Sequence, residues 1–341
     1  MRKPARAFVL GCASLELTAD EREFIAKSQP WGLILFKRNV SDRAQLRKLT
    51  AMFRELVGRD NAPVLIDQEG GRVQRMGPPE WRAYPPAAVF NGLGGLGEDG
   101  KAQITRLGAA LIARDLREAG INVDCLPVLD VPVPGAHDVI GDRAYAKDPQ
   151  TVATLGRAAC EGLLRGGVLP VIKHIPGHGR AGADSHKELP RVSAPLQELE
   201  RSDFIPFQSL ADMPLAMSAH VVYEAIDPAR PATISPIVID RIVRGQIGYD
   251  GMVMSDDLSM KALSGSFREK TEALFAAGLD LALHCSPDLA EAAEVASAAP
   301  WLDGKRGERA ERALDMIAEP PEWIDSVEAA ARLDAALAMQ G

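Results

Sequence analysis

Residues 168–187 read VLPVIKHIPGHGRAGADSHK, and their chemistry starts where an apolar run stops. Val168 to Ile172 is apolar, Lys173 and His174 follow, a glycine-broken loop comes next, and then Asp184 and His186 stand two positions apart. A buried parallel strand whose C-terminal end opens into an active site has this pattern. An aspartate beside a histidine orients the imidazole and stabilises its protonated form, which suits proton transfer near neutral pH. The segment alone also fits ordinary surface charge at a strand end. Recurrence decides between the two: Asp67, Asp130, His220, Asp256, Asp257 and His284 also fall at or just beyond the ends of apolar runs.

Asp256, in MSDDLSM (254–260), is the candidate nucleophile, since a carboxylate at the end of a buried strand is rigidly held and a cation such as Lys173 keeps it ionised. The competing reading makes Asp256-Asp257 the N-cap of the next helix. Asp67, in IDQEGGRVQR (66–75), can accept from two neighbouring hydroxyls of a sugar ring, with Arg75 donating to the same ring or holding Asp67. The alternative there is a salt-bridged turn at Gly70-Gly71. Arg143, in IGDRAY (140–145), can reach the same pocket, although isolated arginines are more often solvated. His174 reads equally as a hydroxyl ligand or a hydrogen-bonded rim histidine, whereas His178, His220 and His284 read as supporting residues. Zinc on His174, His178 and His186 is disfavoured, because Pro176 and Gly177 break the HxxxH spacing and no HExxH is present. No metal or cofactor is expected. The stretch 174–193 is long for a loop in a compact domain, and Gly177, Gly179 and Gly182 suggest that it moves to bring His186 to a bound substrate.

Eight short apolar runs position these groups: Ala7–Gly11, Trp31–Phe36, Pro63–Asp67, Val123–Asp130, Leu169–His174, Pro214–His220, Met252–Asp256 and Leu279–His284. Helical patterns separate most of them. Thr18 to Glu21 forms a capping-box sequence, Leu46, Leu49, Phe53 and Leu56 keep a helical period, and so do Leu107, Ala110, Leu111 and Leu116 before Gly120. Asp148-Pro149 opens another helix, closed by Gly166-Gly167, and Gly278 ends one around Leu274. Eightfold strand–helix alternation predicts an α/β fold, a closed (β/α)8 barrel, with the ionisable residues around its C-terminal mouth. An open doubly wound sheet is the second choice, weakened by the lack of GxGxxG after the first strand. The expectation is one catalytic domain over 1–341, with the barrel at about 5–300 and a helical extension at about 301–341, split by Pro320-Pro321 and bearing no chemistry.

The 39 Lys and Arg against 47 Asp and Glu give a net charge of −8, without basic clusters, which excludes a nucleic-acid surface. Four cysteines without a CxxC pair read as reduced core residues of a cytoplasmic protein. The apolar stretch before Cys12 is too short for a signal peptide and fits a first strand better, and no run is long enough to span a membrane.

Taken together, IDQEGGRVQR (66–75), IGDRAY (140–145), KHIPGHG with DSHKELP (173–190) and MSDDLSM (254–260) resemble glycoside hydrolase family 3. More narrowly they resemble its bacterial cytosolic β-N-acetylglucosaminidases of peptidoglycan recycling. The four blocks stand in the family's order, and the likeness runs from ILFKRNV (34–40) to the eighth strand. Ile175 departs from it, standing where these proteins usually carry an aromatic. The resemblance implies that Asp256 is the nucleophile and His186 the acid/base, with Asp184 as its partner. It also implies that Asp67, Arg75, Arg143, Lys173 and His174 bind a non-reducing N-acetylglucosamine. The implied reaction is retaining hydrolysis of muropeptide fragments by a monomer with a small-molecule substrate. Three other readings compete: an aldolase using Lys173 as a Schiff-base amine, a sugar-binding sensor, and a phosphorylase of the same family. The aglycone is not legible in the sequence.

Overall fold

The structure, a computed structural model, describes residues 4–182 and 189–339. All eight apolar runs become strands: β1 Arg6–Gly11, β2 Pro30–Leu35, β3 Val64–Ile66, β4 Val123–Asp124, β5 Leu169–Ile175, β6 Leu215–Ser218, β7 Met252–Asp257 and β8 Leu281–His284. Each pairs in parallel with its sequence neighbours, and β8 pairs with β1 to close the barrel. No sheet edge is left open in the barrel.

Alternation along these strands does two jobs. Val9, Ile34, Leu65, Val123, Val171, Leu215, Met254 and Leu283 fill the barrel interior, while residues of the other parity such as Phe8, Leu33, Val64, Ile172 and Val253 pack outward under the helices. Strands buried on both faces must be apolar throughout, which is why they read as unbroken runs. The period of two also decides what sits at the mouth. One step beyond the last apolar layer, Leu65 is followed by Asp67, Val171 by Lys173 and Met254 by Asp256, all on the inward-facing parity.

The fourth run differs from expectation. Only Val123–Asp124 is regular strand, because Pro127 has no N–H to offer the ladder. The chain nonetheless continues along β5, with the Val171 and Lys173 amides donating to the Leu126 and Pro127 carbonyls and the Leu129 amide donating to Lys173. This carries Asp130 up to the rim.

Local signals hold for the helices. Thr18 and Glu21 exchange both capping-box bonds, and the Asp148 carboxylate accepts from the Thr151 amide at the start of the helix Pro149–Arg165. Asp256 and Asp257 cap no helix: the helix after β7, Phe267–Ala277, starts at Ser266 with its own capping box. The helix Gly304–Asp315 closes the N-terminal end of the barrel. Its Ala310, Ala313 and Leu314 join the interior cluster below Ala7 and Trp31, and Arg309 binds Asp250 and Asp280 at 2.7 and 3.0 Å. Among the described residues, no helix is long and apolar enough to cross a membrane.

The helices Glu98–Glu118 and Pro149–Arg165 cross at Gly162, where a Cβ would stand 2.3 Å from the Arg106 carbonyl oxygen and 2.8 Å from the Ala109 Cβ. Gly162→Ala is expected to cost about 1–3 kcal/mol through overpacking, visible as a lower midpoint in thermal or urea unfolding. An unchanged midpoint would contradict the close crossing.

Candidate active site

At the C-terminal mouth the inward-facing positions surround a pocket of about 160 Å³. Ile34, Phe36, Asp67, Lys173, His174, Met217, Asp256, Leu283 and Cys285 reach it from the strands and their ends, and Glu69, Arg75, Arg143 and His178 reach it from the segments beyond. Six of the eight residues expected at the site, Asp67, Arg75, Arg143, Lys173, His174 and Asp256, therefore share one cavity. The other two, Asp184 and His186, lie outside the described residues.

One wall is a chain of alternating charge. Arg75 Nη2 donates to Asp67 Oδ2 at 2.9 Å, Lys173 Nζ donates to Asp67 Oδ1 at 3.1 Å and lies 2.6 Å from Glu69 Oε1. Arg143 grips Glu69 with both Nε and Nη2, at 2.8 Å each. Burial alone would raise the pKa of Asp67, but Lys173 and Arg75 outweigh it and hold the carboxyl well below its ordinary range. Glu69 is lowered likewise, with Lys173 and Arg143 overcoming burial. Burial would lower Lys173, yet Glu69 and Asp67 raise it above its usual value. An amine fixed as ammonium is no nucleophile, so the Schiff-base reading of Lys173 has no support. The Asp67 carboxylate is salt-bridged to Arg75, and that pair lies in the pocket wall. Arg143 is buried in its ion pair, contrary to the solvated reading.

The hairpin carrying Glu69 is stapled from within. Gln68–Gly70 pairs antiparallel with Val73–Gln74, and the Gln68 side chain accepts from the Arg75 and Met76 amides at 3.0 Å while donating to the Met76 carbonyl at 2.7 Å. Gly70 has φ 95°, and a Cβ there would meet the Pro85 carbonyl oxygen at 2.3 Å, so the first glycine of the pair is a steric requirement. Beneath it, Asp124 accepts from the Gln68 amide at 3.0 Å, and burial, aided by the Asp67 and Glu69 charges, outweighs that amide and Lys173 and raises its pKa to about 8.

Asp130 organises the second wall. Its Oδ2 bonds His174 Nδ1 at 2.7 Å, and its Oδ1 accepts from the amides of His174 at 3.1 Å and His178 at 2.6 Å. Burial is outweighed by His174 and His178, leaving Asp130 at about 2. His178 falls to about 4, first through burial and then through the His174 charge. His174 is thus both a pocket residue and a hydrogen-bonded rim histidine.

Asp256 ends β7 and accepts the Asp257 amide at 2.8 Å. Asp257 also lines the pocket, and its Oδ1 takes the Ser259 and Cys285 amides at 3.0 Å each, tying the turn after β7 to the end of β8. Below them, His220 bonds Thr233 at 2.7 Å and the Asp257 carbonyl at 3.1 Å, and burial lowers its pKa. His284 is buried edge-on against Phe267 and does not line the pocket.

The glycines of the loop after β5 do not act alike. A Cβ at Gly179 would stand 2.1 Å from the Val131 carbonyl oxygen, and Gly177, at φ 137°, lies against Asp203 with its carbonyl bonded by the Tyr223 hydroxyl at 2.5 Å. Both are closely packed, whereas a Cβ at Gly182 would meet nothing among the described residues. His186, which movement of this loop was expected to bring to the substrate, lies outside the described residues. Among the described residues, no group of three or more His, Cys, Asp or Glu is arranged to hold a metal ion.

Two residues central to these walls, Glu69 and Asp130, were not among the expected ligands. Glu69 had a usable signal, since it follows Asp67 by two residues in a stretch of strand period. Asp130 was visible only as a polar end to an apolar run.

Because Asp130 is held below its unfolded value of 3.8, its contribution to stability is complete above that value and disappears as pH falls through about 2. Stability of the wild type should therefore drop between these limits by about 2 kcal/mol more than that of Asp130→Asn. Urea unfolding at a series of pH values measures this, and parallel profiles for the two proteins would refute it.

The chain matches the glycosyl hydrolase family 3 N terminal domain over residues 8–315. It is 37% identical over 292 residues to the β-hexosaminidase of Bordetella pertussis, covering 84% of this chain and 82% of that protein. With the β-hexosaminidase of Methylococcus capsulatus it shares 37% identity over 324 residues, 92% of this chain and 95% of the relative. The crystal structure of NagZ from Neisseria gonorrhoeae in complex with N-trifluoroacetyl-D-glucosamine superposes with a TM-score of 0.85 at 30% identity, covering 100% of this chain and 99% of that one. A closed barrel with its charged mouth, matched across nearly its whole length by these proteins, is a glycoside hydrolase, and the chain belongs to glycosyl hydrolase family 3.

Proposed function

We propose that this protein is a retaining exo-β-N-acetylglucosaminidase that removes the non-reducing terminal N-acetylglucosamine from muropeptide fragments. The observation that carries the reading is a single pocket lined both by Asp256 and by the charge chain from Arg143 to Arg75. Sugar hydroxyls need donors and acceptors fixed in space, and a chain of paired charges supplies both. The β-hexosaminidase relatives and the N-trifluoroacetyl-D-glucosamine complex of the NagZ structure support an N-acetylated aminosugar as that residue.

In this mechanism Asp67, Arg75, Arg143, Lys173 and His174 bind the sugar. Asp256 attacks the anomeric carbon and forms an ester bond to it while the glycosidic C–O bond breaks, and His186, oriented by Asp184, gives its proton to the departing oxygen. Water then attacks the same carbon, His186 takes a proton from that water, and Asp256 leaves as carboxylate. The barrel, about 5–300, is the catalytic unit, with the helices from 301 onward supporting it. The leaving group is anhydro-muramic acid with or without peptide, and the setting is cytoplasmic cell-wall recycling by a monomer that needs no metal.

Incubation with a 2-fluoro-2-deoxy glycosyl fluoride should trap a glycosyl ester, and peptide mass mapping should find it on Asp256. Asp256→Asn should lower kcat on a chromogenic N-acetyl-β-glucosaminide by at least about a thousandfold. A label on another residue, or near-wild-type turnover by the variant, would remove Asp256 as nucleophile. Release of sugar 1-phosphate on adding phosphate would instead favour phosphorolysis.

A further inference from the structure

We infer that Glu69 is a positioning residue of the sugar pocket, clamping Arg143 and Lys173 in the one arrangement in which both can donate to the substrate's hydroxyls. The inference rests on the reading of Arg143 and Lys173 as sugar ligands. Glu69 itself is nearly inaccessible, with its side chain 4% exposed. Both of its oxygens are committed, Oε1 to Lys173 and to Arg143 Nη2, and Oε2 to Arg143 Nε. Its influence on a substrate therefore passes through its two neighbours.

These neighbours arrive from separate parts of the fold. Lys173 stands near the end of β5, whereas Arg143 belongs to a single helical turn, Gly141–Arg143, in the loop after β4. Among the described residues, the Arg143 guanidinium is otherwise held by its Nη1 bond to the Val139 carbonyl in its own loop, at 3.3 Å. A long side chain so loosely tied would recover most of its rotamer freedom if the bidentate pair were lost. Glu69 is in turn immobilised by the stapled hairpin on either side, through Gln68 and Gly70. The fixed hairpin thus transmits its position to a loop arginine and a barrel lysine at once.

The charge of Glu69 has a second consequence. Of the groups that raise Lys173 against the effect of burial, Glu69 is the strongest and Asp67 the next. Removing the Glu69 charge leaves one carboxylate to oppose burial, so the ammonium should lose its proton at a lower pH.

The test uses the full chain with Glu69→Gln, which keeps the side-chain shape, and measures kcat and KM on a chromogenic N-acetyl-β-glucosaminide across the pH range. Lys173→Ala serves as the companion variant. Glu69→Gln should raise KM at least about tenfold with a smaller loss of kcat. Glu69→Asp, which keeps the charge but is one methylene shorter, should also raise KM, because it cannot hold Arg143 and Lys173 in the same arrangement. If Glu69→Gln does not fold, Glu69→Asp carries the test, and a wild-type KM in it overturns the inference. Wild-type KM in Glu69→Gln, alongside a raised KM in Lys173→Ala, would overturn the role of Glu69 alone. An unchanged KM in both variants would remove the sugar-ligand reading and this inference with it.

Discussion

An ammonium group buried at the inner wall of the barrel constrains everything around it. Lys173 is almost wholly removed from water, and a buried charge of that kind is tolerated only when paired and hydrogen-bonded. Asp67 and Glu69 meet that demand, and their own charges demand Arg75 and Arg143. One lysine at the end of one strand therefore organises the β3 hairpin and the loop after β4 into a single wall. Removing any one member would leave an uncompensated buried charge, a loss of several kcal/mol in proteins generally. The geometry is over-determined.

Beneath this wall the barrel supplies registry. Parallel pairing around the closed sheet sets the height of every strand end, and the period of two sets which side chains turn inward. Lys173, Asp67 and Asp256 thereby emerge at one level from strands far apart in sequence. Asp257, beside Asp256 at the pocket, spends a carboxylate oxygen on the backbone of the β7 and β8 ends, and His220 supports the same point from below.

Much of this was legible in the sequence for definite reasons. Strands buried on both faces cannot hide among polar residues, so eight apolar runs were countable. Asp67, Lys173 and Asp256 announced themselves by ending those runs. The part that was not legible depends on neighbours in space. Arg143 looks like a surface arginine until Glu69 is found against it, and Asp130 looks like a strand end until both histidine amides converge on it. The glycines after β5 suggested a hinge, yet Gly179 is needed because the Val131 backbone leaves no room for a side chain. The helix Gly304–Asp315 showed an amphipathic face, and such a face does not say that its partner is the bottom of the barrel.

The two walls also differ in how their charge is disposed, and this bears on the proposed chemistry. Along the first wall, three cations meet two carboxylates, so the wall carries little net positive field. Near Asp256, burial lowers both His178 and His220, which disfavours their charged forms. The transition state of glycoside cleavage gathers positive charge on the sugar. A surplus of unpaired cations around it would oppose that charge, whereas cations already paired with carboxylates oppose it far less. Binding strength and tolerance of a developing cation are thus compatible in one pocket because the lysine and arginines spend their charge on Asp67 and Glu69.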